Sequence, residues 1–248
     1  MHHLLQDYLG QAAAVLNQIA EQESAVLEKA AGIIAEAYCR GQGIYVFGCT
    51  HSAILAEDVF YRAGAPVFWR PLWGPGMTIS STPGMLSTAA ERNEELGRSI
   101  VACSRLAGGD VLVMASTSGK NAAPLAVAET ALERGVQVIA ITSSHYRQQR
   151  GNHSRLANLW DLEQRLLIID NHVPCGDAAI KVGDSPMGPV STMAGSFIMH
   201  SLSALAIDLL QQQGLTPPVF LSSNAPGGSA HNNALLAKPE WQEAFLLP

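Results

Sequence analysis

The sequence predicts an α/β fold: a three-layer, doubly wound sheet of five parallel strands, preceded by N-terminal helices. Three observations carry this. Five short apolar runs of β type stand at Ile44–Phe47, Pro66–Arg70, Val111–Ala115, Val136–Thr142 and Leu166–Asp170. Helical segments at Ala53–Ala63, Ser87–Leu106 and Ala122–Arg134 separate them. The runs are apolar throughout rather than alternating, as strands are when helices cover both faces of a parallel sheet through right-handed crossovers.

The elements follow in order. Leu4, Leu5, Tyr8, Leu9 and Ala12 recur at helical steps, as do Val26, Ala30, Ile33, Ile34, Ala37 and Tyr38, so the first forty residues read as helix. The polar stretch Glu21–Ser24 either bends that segment or forms its wet face, and Gly41 and Gly43 end it. Between the second strand and the helix at Ser87 lies a Gly/Pro/Ser/Thr-rich loop, Pro71–Gly84. A polar, basic loop spans Ser143–Ser154. The last long helix runs from Ser191 to Gln213, stopped by Gly214 and Pro217-Pro218, and a loop and short helix follow Phe220. The chain shows no repeat and no linker long enough to separate two domains. Residues 1–42 are expected to form a helical segment packing on the domain or on a partner subunit, and residues 43–248 the binding domain.

Composition narrows the function classes. A chain of 248 residues buries roughly 70–75% of its unfolded surface without metal or disulfide support. Apolar residues at 48% and charged residues at 15% exclude a disordered chain. Fifteen Lys+Arg against 21 Asp+Glu give a net charge of −6, which argues against nucleic acid as a partner. The longest apolar runs fall far short of the roughly 18 residues of a membrane span, so no membrane association is expected. Met1-His2-His3 is not a basic region leading into an apolar core, so no signal peptide is expected, and Cys39, Cys49, Cys103 and Cys175 show no C-x-x-C spacing. Reduced thiols in a cytoplasmic protein are the expectation.

In doubly wound sheets ligands bind beyond the carboxyl ends of the strands. The first such loop is Gly48-Cys49-Thr50-His51-Ser52, where Ser52 is either an anion ligand or a helix cap. The second, Ser116-Thr117-Ser118-Gly119-Lys120-Asn121, places three hydroxyls, a glycine and an Asn directly after a strand. Capping explains one of those hydroxyls, not all three. Neither loop has the dinucleotide G-x-G-x-x-G spacing or the P-loop pattern, so phosphate held by hydroxyl and backbone donors is the better account.

Gly48-x-x-x-Ser52 and Ser116-x-Ser118-Gly119 resemble the sugar isomerase (SIS) domain. The wider match is to short bacterial SIS proteins of the UPF0309 group. It rests on Ile44–Gly64, on Asn171…Gly176-Asp177, and on Pro218…Asn224-Ala225-Pro226-Gly227-Gly228…His231-Asn232. The resemblance implies a flavodoxin-like fold binding phosphosugars, with Ser52, Ser116, Thr117, Ser118 and Asn121 as phosphate ligands and Gly48 and His51 beside them. Two departures stand out. Thr50 replaces a common glycine, and Lys120 adds a cation where acidic or apolar residues are commoner.

Aldose–ketose isomerisation needs a base to move a proton between C1 and C2, an acid/base for ring opening, and donors for the oxyanion. Glu91 stands close to where the resemblance to the etherase branch implies an essential acid. Glu57, five residues after Ser52, is a second candidate. His200 on the last helix is either a core histidine or, as in the heptose-phosphate isomerase branch, the ring-opening group. The Asn224–His231 segment is similar to the His-Pro-Gly-Gly element of arabinose-5-phosphate isomerases, but Ala225 occupies the histidine position. Asn224 or His231 is then the substitute binding group. Asp177 is an acid on the same edge or a turn cap. His145, Arg147, Arg150 and His153 make a solvated basic loop or a charged lid. The expected function is therefore a phosphosugar isomerase, with a non-catalytic sensor or a lyase acting beside the sugar carbonyl as alternatives. No cofactor or metal is implied, and a homodimer or larger homo-oligomer is expected.

Overall fold

The computed structural model describes residues 2–151 and 158–246. Two helices, α1 (His3–Gln22) and α2 (Ser24–Cys39), lead into β1 (Ile44–Gly48). Then come α3 (Ala53–Val59), β2 (Trp69–Pro71), α4 (Met85–Glu91), α5 (Glu94–Cys103), β3 (Val111–Ala115), α6 (Ala122–Glu133), β4 (Gln137–Thr142) and β5 (Leu167–Asp170). A short antiparallel hairpin, β6 (Ile180–Val182) and β7 (Ser185–Met187), precedes α7 (Ser191–Gln212), α8 (Gly228–Leu236) and α9 (Pro239–Leu246).

The main sheet is parallel throughout, in the order β2-β1-β3-β4-β5. The order reverses between β1 and β3, which opens a crevice at their carboxyl ends. Register lines those ends up: Gly48 pairs with Ala115, Ala115 with Ile141, and Thr142 with Asp170. Loops beginning at residues 49, 116, 143 and 171 thus leave the sheet along one edge.

Alternate residues of each strand serve two separate cores. Ile44, Val46, Val111, Val113, Ile139 and Ile141 face α2, α3 and α7, with Ile34, Leu55, Ile198 and Leu202 packed on them. Tyr45, Phe47, Leu112, Met114, Val138 and Ala140 face α5 and α6, with Ile100, Val101, Leu125 and Val127. The leading helices belong to the first core through Ile19, Leu27 and Ala30. Among the described residues α7 is the one helix long and apolar enough to cross a membrane, at a mean hydropathy of 1.5. Serines and His200 interrupt its apolar runs, so run length alone does not reveal it. Here its buried face lies against α2 and α3.

Several boundaries differ from the sequence reading, each for a reason. The N-terminal helix bends at Glu23. The helix predicted to Ala63 ends at Val59, because the backbone at 64–67 pairs with the tail instead. Gly64 and Val67 donate to Phe220 and Pro218, and Phe220 donates back to Ala65. The same pairing displaces β2 from the predicted Pro66–Arg70. The helix predicted over Ser87–Leu106 is two helices. Asn93 caps the second by accepting from the Leu96 N–H at 3.0 Å, with Glu94 and Glu95 in its first turn. The β6–β7 hairpin was not predicted, since each strand is three residues long. The basic loop opens with a 3₁₀ turn at Ser144–Tyr146. Its candidate His153 and its end at Ser154 lie outside the described residues.

Candidate functional site

The loop after β1 is folded back tightly. A Cβ on Gly48 would lie 2.2 Å from the Ser52 carbonyl oxygen, so only glycine fits there. Thr50 adopts a φ of +54°, a conformation that suits the glycine common at this position in the resemblance. Its N–H donates to Met77 at 2.6 Å, tying the loop to the Pro71–Gly84 segment. Ser52 precedes α3, yet its side chain makes no cap bond.

The loop after β3 is braced from behind. Its Thr117 carbonyl accepts the Ser143 N–H at 3.0 Å, and Leu159 donates to the Gly119 carbonyl at 2.7 Å. Asn158, fully buried, reaches the carbonyls of Ser118, Tyr146 and Gln149 with its amide. Gly119, at φ +62°, has no space for a Cβ against Asn158 and Thr142. Asn121 stands at the start of α6 without a side-chain cap bond. The backbone is held while the side chains are left over. The hydroxyls of Ser52, Ser116 and Ser118 make no hydrogen bond to any described residue, which a purely capping role does not explain. Thr117 Oγ1 accepts from the Asn171 amide at 3.1 Å.

These ends converge on a narrow pocket with a cavity volume of about 10 Å³. His51, Ser52 and Leu55 line it from the first loop and α3, Thr117 from the second, Asn171 from the end of β5, and Ser191, Thr192 and Gly195 from the start of α7. Among the described residues no Lys or Arg lines it. An anion there would be held by hydroxyl, amide and backbone donors. Lys120 turns outward, its Nζ donating to Gln149 at 2.7 Å and standing 5.7 Å from the Tyr146 ring centre.

Glu91, the last residue of α4, approaches the first loop from the side. Burial pushes its carboxyl above the usual range, while the Asn121 side chain, Arg92 and His51 pull it partly back. A carboxylate desolvated in this way is a stronger base near neutral pH. It also faces Cys49, whose thiol is raised well above its ordinary value, by burial first and by Glu91 second. That thiol is therefore protonated, and no nucleophile is available at this position.

Of the expected site residues, His51, Ser52 and Thr117 line the pocket, whereas Ser116, Ser118, Asn121, Glu91 and the candidates that follow do not. Glu57 is exposed on the outer side of α3. His200 lies five residues beyond Gly195 along α7, with Nε2 3.0 Å from Asp58, which also pairs with Arg62. The imidazole proposed for ring opening is thus hydrogen-bonded to a carboxylate on α3. Asn224 and His231 lie by the amino ends of the strands, because Val219 and Phe220 pair with residues just before β2. There His231 Nε2 donates to the Val219 carbonyl at 3.0 Å. Asp177 is a cap, accepting the N–H groups of Val190 and Ser191 and the Ser191 hydroxyl at 2.6–3.0 Å. The two arginines of the basic loop are paired, Arg147 with Glu163 and Arg150 with Asp161. Among the described residues no three His, Cys, Asp or Glu side chains are grouped to hold a metal.

Sequence reasoning missed Asn158, Ser191 and Thr192, and singled out Asn171 only as part of a segment, with no role of its own. Asn171 directly follows the fifth strand, the same signal that marked the first two loops. Nothing local marks the rest.

Comparison with known proteins agrees with this architecture. The SIS domain model matches residues 7–143. A UPF0309 protein of Shouchella clausii is 34% identical over 98% of this chain and 99% of its own length. One of Geobacillus kaustophilus is 36% identical over 90% and 89%. Among solved structures, the phosphoheptose isomerases of Neisseria gonorrhoeae and Francisella tularensis share the fold, each with a TM-score of 0.52. They are 15% and 18% identical, covering 82% and 83% of this chain and 97% and 98% of theirs. The chain belongs to the SIS-domain family, within its UPF0309 group.

Proposed function

We propose that this SIS-domain chain binds a phosphorylated sugar at the pocket between β1 and β3 and interconverts its aldose and ketose forms. The observation that carries this reading is the set of uncommitted hydroxyls, Ser52, Ser116 and Ser118, on loops whose backbones are braced by other groups. Such donors suit a tetrahedral dianion. Beside them stands one carboxylate raised by burial, Glu91.

With the phosphate held by the two loops, Glu91 removes the C2 proton of the open-chain aldose. The C1 carbonyl oxygen takes up a proton, giving an enediol. Return of a proton from Glu91 to C1, with loss of the O2 proton, yields the ketose. Donors at the pocket mouth, the His51 ring among them, stabilise the oxyanion. The reading includes assembly as a homo-oligomer, supported by Leu5 and Leu9 of α1, each 63% exposed. Light scattering at micromolar concentration is expected to give a multiple of 26.3 kDa.

The deciding experiment is proton exchange in deuterated water with pentose, hexose and heptose phosphates, following the C1 and C2 signals by NMR. Exchange is expected with at least one of them, and Glu91→Gln suppresses it about 10²-fold or more, the scale of a lost general base. A ligand that binds tightly without exchange overturns the enzyme and leaves a sensor.

A further inference from the structure

Glu23 is the single residue between α1 and α2, and both of its carboxylate oxygens reach across to the end of β5. Oε1 lies 3.1 Å from His172 Nε2, and Oε2 accepts the Asp170 N–H at 3.2 Å. His172 is buried at a φ of +52°, where a residue with a bulky side chain seldom sits unless its surroundings hold it. Its Nδ1 lies 3.6 Å from Oδ2 of Asp170. Asp170 Oδ1 accepts the N–H groups of His172 at 2.9 Å and Ser144 at 3.0 Å. Residues 170 and 172 are thus clamped, and Asn171 stands between them.

Asn171 in turn decides the direction of one proton. The Asn171 backbone N–H is taken by Thr142, and its Oδ1 accepts the Val173 N–H at 3.2 Å. Its Nδ2 is therefore the atom that faces Thr117 Oγ1, at 3.1 Å. A threonine hydroxyl carries one proton and two lone pairs. With a lone pair of Thr117 occupied by the amide, its proton is left to point into the pocket it lines. Were the amide reversed, Thr117 would donate to Oδ1 and show the pocket only lone pairs, which repel an anion.

We propose that Glu23, His172 and Asp170 are positioning residues that hold Asn171 with its amide toward Thr117, so that Thr117 donates to the bound anion. The bend between α1 and α2 thereby sets the affinity of a pocket that neither of these two helices lines. This rests on the pocket being the phosphosugar site.

The test is a double-mutant cycle read by calorimetric titration with sugar phosphates and with inorganic phosphate. Glu23→Ala is expected to weaken binding about tenfold in the native background and to have almost no effect on top of Thr117→Val, because the proton it misdirects is already gone. Glu23→Gln, which keeps an acceptor for the Asp170 N–H, restores most of the affinity. His172→Gln, a milder change, is expected to follow the same pattern. Equal losses in both backgrounds, or no loss on Glu23→Ala, overturn the proposal while the pocket stands. Failure of the native protein to bind either ligand overturns the pocket itself.

Discussion

At the amino ends of the strands, Asp110 accepts the N–H groups of Gly43 and Ala107 at 2.7 and 2.8 Å. Asn232 holds both the N–H and the C=O of Leu221, at 3.0 and 2.8 Å, and His231 reaches the Val219 carbonyl. At the carboxyl ends three serine hydroxyls have no partner among the described residues, Thr50 sits at positive φ, and Gly48 has no room for a methyl group. The first edge is built to hold the chain together. The second keeps its backbone fixed while leaving donors and strain exposed, which is where a ligand completes the bonding.

The largest effect expected from this contrast is at Gly48. Gly48→Ala forces its Cβ against the Ser52 carbonyl and should cost about 3 kcal/mol in a denaturant titration, at the upper end of overpacking. Gly10→Ala, in the exposed interior of α1 with nothing nearby, should instead gain about 0.5–1 kcal/mol.

The next effect separates the edges directly. Asn232→Ala leaves the Leu221 N–H and C=O short of partners and should lower stability by about 2 kcal/mol, with sugar-phosphate affinity unchanged. Ser116→Ala or Ser118→Ala should weaken binding by about 1–3 kcal/mol while stability moves by no more than about 0.5 kcal/mol. If the serine variants unfold as readily as Asn232→Ala, the contrast between the two edges is broken.

Glu91 gives the smallest effect, and it depends on pH. Its carboxyl is raised in the folded protein, so folding is favoured while the group is protonated and that benefit is lost as pH rises through the folded value. Glu91→Gln should therefore raise the melting temperature slightly at pH 7, and the gain should vanish in acid below the ordinary glutamate range. Proton exchange should fall on the acid side of the folded Glu91 pKa, where its base form is lost.

Part of this was legible in the residues. Val111–Ala115 was read to the residue because all five positions are buried, and full burial leaves a continuous apolar run. The break at Asn93 carried a readable signal, an Asn followed by two acids, which the longer helical stretch around it concealed. The loops after the first and third strands announced themselves through hydroxyls and glycines at strand ends. The partners of His200 and His231 were not legible, because an isolated histidine looks the same in sequence whether it meets a substrate, Asp58 or the Val219 carbonyl.

The sequence by itself determined the strands of the main sheet other than the bounds of β2, most of the helices and the two hydroxyl-rich loops, since burial period, caps and turn residues act over a few positions along the chain. Only the tertiary structure decided which of those groups meet. The order β2-β1-β3-β4-β5 brings residues 52, 117, 171 and 191 to one pocket, and pairing of 218–220 with 64–67 carries Asn224 and His231 to the opposite edge. Which hydroxyls remain unpaired, and which way the Asn171 amide points, follows from hydrogen bonds between residues as far apart as Glu23 and His172. No local pattern encodes those contacts, because each depends on strand order and register that the whole chain settles together.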